Sequence, residues 1–100
     1  MKIAMITAET QKYFKSLIPE DVYSAMNYGE PVLALGLMKG KTPIGALTGQ
    51  MNSGESDIFT VSSLYVKPEY RRRMGGMLLV NALQEILDRA DMRVLPLQNP

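Results

Sequence analysis

The sequence predicts a mixed α/β fold: a mostly antiparallel sheet with one right-handed strand-helix-strand unit. Three observations support this. Apolar, β-branched and aromatic runs fall between residues 32 and 66 with turn signals between them, the pattern of an antiparallel meander. A strongly amphipathic helix opens just after them, at Gly75 and Gly76. Another apolar stretch, residues 92–97, follows that helix, and a strand-helix-strand connection crosses over right-handed and makes its two strands parallel. At 100 residues, a single domain over 1–100 is expected, because two cores would each bury too little apolar surface.

Taken in order, residues 1–6 predict a short opening strand, and Tyr13, Phe14 and Leu17 recur at helical spacing within residues 7–17. Pro19, Glu20 and Asp21 mark a second helix start, with two carboxylates at the positive end of the dipole and Gly29 as its stop. Val22, Ala25 and Met26 should face inward. Residues 32–38 form a compact apolar run ended by Lys39-Gly40-Lys41, and residues 44–51 complete a hairpin. A concentrated turn signal over residues 52–56 leads to a third strand, residues 58–66, which Pro68 ends. In the helix after Gly76, Leu79, Leu83, Ile86 and Leu87 make the apolar stripe, with Asn81, Gln84, Glu85 and Asp88 outside it. Pro96 weakens the far end of the last strand.

Composition excludes whole chemistries. The chain has no Cys, His or Trp, which removes an ordinary zinc site, a thiolate nucleophile and a Ser-His-acid triad. What remains is carboxylates, Tyr, Lys, backbone amides and water, a set suited to positioning a substrate's own nucleophile. The net charge of +1 gives no overall field for drawing in nucleic acid or anionic lipid. The longest apolar run, residues 32–38, is far short of the roughly 20 residues of a membrane span. No secretory signal is visible, so a cytoplasmic protein is expected.

The chemistry-bearing stretch is residues 64–77. Arg71, Arg72 and Arg73 precede a helix start whose free N–H groups already carry about half a positive charge. Three cations there repel one another until an anion docks. Backbone amides, Gly75 and Gly76 for close approach, and flanking guanidinium groups are the ingredients of a phosphate cradle. The same residues also read as a solvated charge run beside a glycine-shaped loop.

This stretch resembles the coenzyme-binding motif of the GNAT acyl-CoA-dependent N-acyltransferases: a strand ending in apolar-x-Val-x-Pro, then Gln/Arg-x-x-Gly-x-Gly/Ala, then a helix. The order of elements resembles the family over essentially the whole chain. The resemblance implies a GNAT-like fold and acetyl-CoA as acyl donor to a primary amine, with no metal. It implies that Leu64, Tyr65 and Val66 face the pantetheine arm through their backbones, polarising the thioester carbonyl, while Arg71, Arg72, Arg73, Met74, Gly75, Gly76 and Met77 cradle the phosphates. Read from Arg71, the motif puts Met74 where the first glycine belongs and Gly76 last; read from Arg72, it puts Gly75 correctly and Met77 last. A side chain at the first glycine crowds the phosphate or opposes a positive φ.

The family continues with another helix and two strands after the position of Pro100, so the chain is expected to be an incomplete GNAT-like domain. The Tyr that serves many members as general acid then has no counterpart here. Glu55 and Asp57 are the carboxylates closest to the family's base positions, though both read more simply as turn residues. No catalytic residue is nominated. The alternative is a degenerate, non-catalytic module that binds CoA weakly or pairs with a copy or a further domain through an exposed edge. Neither reading involves nucleic acid or membrane.

Overall fold

A computed structural model describes residues 1–28, 32–52, 55–90 and 93–95. Its element order is β1 (Lys2–Met5), a 3-10 segment (Gln11–Leu17), α1 (Glu20–Asn27), β2 (Val32–Lys39), β3 (Thr42–Asn52), β4 (Glu55–Val66), a second 3-10 segment (Pro68–Arg73), α2 (Gly75–Arg89) and β5 (Arg93–Leu95). The five strands form one sheet in the order β1-β2-β3-β4-β5. The first three pairings are antiparallel, and β5 lies parallel to β4. The expected mixed sheet is therefore present. Of the predicted last strand, residues 92, 96 and 97 lie outside the described residues.

Local chemistry accounts for each boundary. Gly40 has φ of 60° in a two-residue turn between the paired Lys39 and Thr42, the conformation a tight hairpin asks of its first central residue. In residues 7–17 the chain winds as a 3-10 helix, and only from Gln11 onward. The reason lies in the spacing: Gln11, Phe14 and Leu17 are the buried residues, three apart, and three residues per turn stacks them on one face. Strand β4 begins at Glu55, so Glu55 and Asp57 belong to the strand rather than to the turn before it, and Glu55 pairs with Asn52.

Two hydrophobic clusters lie on either side of the sheet. On one side Leu79, Leu83 and Leu87 of α2 pack on Leu35, Leu37, Leu47, Phe59 and Val66. Ile86, the fourth member of the predicted stripe, is half-buried against them. On the other side Phe14, Leu17 and Ile18 pack on Ala34 and Ala46, with Val22, Tyr23 and Met26 of α1 at the margin. Ala25 is likewise half-buried. The small residues under this layer are not incidental. A Cβ on Gly36 would sit 2.4 Å from the Phe14 ring, so the ring rests directly on the β2 backbone. Gln11 Nε2 donates to Asn27 Oδ1 and ties the 3-10 segment to α1.

Phe14 is 4% exposed and anchors the N-terminal layer, so Phe14→Ala is expected to destabilise the protein by about 3–5 kcal/mol. Urea denaturation followed by circular dichroism measures the loss.

Candidate active site

The site is built where β4 leaves the sheet. Thr48 pairs with Ser63 and Gly49 with Val61, so Ser62 is an extra residue in β4. Such a bulge bends its strand and increases the local twist. Before it, Ile58, Phe59 and Thr60 pair with Arg93, Val94 and Leu95 of β5. After it, among the described residues, no strand lies against the outer edge of β4. The Lys67 N–H donates to the Ile44 carbonyl at 2.8 Å. Strand residues turn both backbone groups to one side and alternate, so Tyr65 and Lys67 face β3 while Leu64 and Val66 turn theirs outward.

The bulge also swaps the faces. Leu64 lies opposite Leu47 and Val66 opposite Gly45, whereas Ser63 lies opposite Thr48 and Tyr65 opposite Ala46. Leu64 and Val66 thus share the α2 face, and Tyr65 takes the other. The two are unequally covered there: Leu64 is 37% exposed, against 7% for Val66.

Pro68 opens the second 3-10 segment, and its geometry separates the three arginines. Consecutive residues on a three-residue turn project about 120° apart. Arg71 folds back, its Nε donating to the Val66 carbonyl at 2.8 Å and its guanidinium 5.5 Å from the centre of the Tyr65 ring. Arg73 lies 5.9 Å from the centre of the Tyr70 ring, which Lys39 also approaches, at 5.3 Å. Arg72 is exposed and, among the described residues, makes neither kind of contact. Among the described residues, no carboxylate pairs with any of the three.

Met74 joins this segment to α2 with φ 60° and ψ 22°, the one non-glycine residue with positive φ among the described residues. The left-handed conformation costs a side-chain-bearing residue about 1 kcal/mol. Met74 adopts it nonetheless, with its side chain 61% exposed. The motif frame starting at Arg71 therefore fits the backbone: Met74 has the conformation that a glycine takes freely. The two glycines after it differ in role. A Cβ on Gly75 would lie 2.6 Å from Leu37 Cδ2, so Gly75 lets the helix approach the sheet; a Cβ on Gly76 would meet nothing within 4 Å. No side chain caps α2, and the Leu78 N–H donates to the Met74 carbonyl at 3.0 Å. The N–H groups of Gly75, Gly76 and Met77 precede that first helical bond and are the free donors of the helix start.

On the opposite face a cavity of about 410 Å³ opens between the N-terminal layer and the end of β4, lined by Leu17, Ile18, Pro19, Ser63, Leu64 and Tyr65 among others. That volume suits a small molecule. Ser63 Oγ and Thr48 Oγ1 are hydrogen-bonded at its margin, Thr48 being completely buried. A neighbouring cavity shares Pro19 and is lined by Asp21, Gln50 and Ser62. Sequence reasoning missed the Thr48-Ser63 pair, and it assigned Asp21 only to the helix dipole. Among the described residues no group of three potential ligands could hold a metal.

An open strand edge that leads into an uncapped, glycine-bearing helix start calls for comparison with known folds. The Acetyltransferase (GNAT) family model matches residues 3–98. The chain belongs to this family. Among solved structures, a ribosomal-protein-alanine N-acetyltransferase from Brucella melitensis superposes with a TM-score of 0.78 at 18% identity, covering 100% of this chain and 81% of the other. An aminoglycoside N-acetyltransferase in complex with CoA gives 0.78 at 14% identity, over 99% and 79%. Aminoglycoside 6'-N-acetyltransferase from Acinetobacter haemolyticus gives 0.76 at 14%, over 99% and 81%. At these identities the likeness is one of fold. No curated protein matches in sequence. Within the GNAT family the strand-loop-helix corner of this chain departs from the motif at Met74.

Met74→Gly is expected to stabilise this GNAT domain by about 1 kcal/mol by removing the left-handed penalty, raising the melting temperature by about 4–8 °C. Thermal denaturation of both proteins checks it.

Proposed function

We propose that the protein is an acyl-CoA-dependent N-acetyltransferase that moves an acetyl group from acetyl-CoA to a small primary amine. One observation carries the reading: the outward backbone groups of Leu64 and Val66 lead directly to the free N–H groups of Gly75, Gly76 and Met77. An extended arm with amides at intervals pairs with an open strand edge as an added strand does. A pyrophosphate at its end then meets a helix N-terminus, where backbone donors and the dipole both favour negative charge. The open space at Gly76 supports this fit. Arg71, Arg72 and Arg73 supply cations around that corner.

The coenzyme supplies an activated thioester, whose carbonyl carbon an amine attacks as the thiolate leaves. The chain's part is positional. The β4 edge fixes the thioester, and an outward N–H near Leu64 to Val66 polarises its carbonyl. The cavity bounded by Pro19, Ser63 and Tyr65 holds the amine on the adjoining face. Holding both reactants in register replaces a bimolecular encounter, a contribution that reaches about 7–11 kcal/mol in well-oriented systems. Ser63, fixed by Thr48, offers a hydroxyl beside that edge. The cytoplasm goes with this reading, because acyl-CoA thioesters are made and used inside cells.

Titration calorimetry with acetyl-CoA, followed by thioester loss in the presence of an amine panel, tests the proposal; absence of both binding and turnover rules it out. A side chain at Gly76 separates folding from binding. Gly76→Val enters open space and should melt within a few degrees of wild type, yet it fills the approach to the helix start, and CoA affinity should fall at least about tenfold.

A further inference from the structure

We propose that Arg71 selects the acyl donor by closing the β4 edge until a phosphate-bearing thioester draws it away. The inference rests on the coenzyme reading above and goes beyond it, because it concerns which thioesters the edge admits.

The argument starts from the accounting of backbone groups. Val66 turns its carbonyl outward, to the edge that an added strand would pair with, and Arg71 Nε already donates to that carbonyl at 2.8 Å. The guanidinium lies 5.5 Å from the centre of the Tyr65 ring, so it occupies the end of the edge. An arm that pairs with Val66 must displace it. The contact that is lost is a hydrogen bond from a cation to a neutral carbonyl. The contact available in exchange, to a phosphate, is charge-assisted on both sides and can be bidentate, the stronger class by roughly twofold.

A thioester with a pyrophosphate therefore provides Arg71 with a better partner at the same time as it takes the edge. A thioester without phosphates only breaks the existing contact. The two other arginines cannot act in this way. Arg73 is held over Tyr70, and Arg72 makes no described contact with β4. Selection follows from differential interaction with two arrangements of one side chain, which is all that a population shift requires.

The test uses the whole chain and two variants, Arg71→Ala and Arg71→Met, the second keeping an unbranched apolar stem beside Tyr65. Calorimetry with CoA and with pantetheine gives four variant affinities to set against wild type, and melting curves confirm that both variants fold. Loss of the phosphate contact, partly offset by the freed edge, should weaken CoA about 3- to 10-fold. Freeing the edge should strengthen pantetheine about 3- to 10-fold. The same crossing should appear in kcat/KM for acetyl-CoA against S-acetylpantetheine. A parallel fall for both ligands would mean that Arg71 merely supports the loop, and unchanged CoA binding would mean that it never reaches phosphate; either overturns the proposal. Pantetheine binding as undetectable in the variants as in wild type also counts against it. If wild type gives no heat with CoA, the coenzyme reading itself falls and the selection with it, a result distinct from wild-type binding with an uncrossed variant response.

Discussion

The structure turns on one strand edge that, among the described residues, no neighbouring strand takes up. Peptide groups inside a sheet pair with neighbours on both sides, and an edge that does not is normally blunted or covered. In β4 the described pairing with β5 covers Ile58 to Thr60, and the extra residue at Ser62 then shifts the register against β3. Beyond it Leu64 and Val66 turn their backbone groups away from β3; Arg71 takes the Val66 carbonyl, and no described strand pairs with either residue there. The edge is shaped by its pairing with β3, so its backbone geometry does not depend on what comes to pair with it. Preorganisation of this kind reduces the ordering that a partner must undergo on binding.

The turn after that edge carries the second constraint. Pro68 ends the strand, a short 3-10 segment carries the arginines, and Met74 reverses the backbone through a left-handed residue before α2 begins. A strained junction persists only where its surroundings over-determine it. Here Gly75 is wedged against Leu37, and the α2 stripe is buried along its length in Leu79, Leu83 and Leu87. The helix cannot retreat to relax Met74. Strain at the junction and tight packing behind it belong to one arrangement, which aims the helix start at the end of β4.

Much of this was legible in the residues. The apolar stripe of α2, the Lys39-Gly40-Lys41 turn and the parallel final strand follow from local periodicity and chain connectivity, which the sequence states directly. The motif region was legible as a place, since Arg71, Gly75 and Gly76 stand where the coenzyme motif puts an arginine and glycines. The details were not, for reasons that can be named. A bulge is set by cross-strand pairing, and two adjacent serines conceal it. Its trace is nevertheless present, because Phe59 and Val61 followed by Leu64 and Val66 is an alternation that slips by one residue. The fan of Arg71, Arg72 and Arg73 depends on a 3-10 rather than an α winding, a difference that three consecutive identical residues cannot signal. The Thr48-Ser63 contact joins residues 15 apart in sequence and exists only through the register of two strands.

The two hydrophobic clusters on opposite sides of the sheet have a consequence for how such a protein can change over generations. The α2 cluster fixes the strand end and the helix start, while Leu17 and Ile18 of the Phe14 cluster build a wall of the cavity beside the end of β4. They share the sheet but no side chain, and energetic effects at well-separated sites combine nearly independently. Substitutions in the N-terminal layer can therefore reshape that wall while the strand end and the helix start keep their geometry. A scaffold divided in this way can drift among acceptors and keep one chemistry.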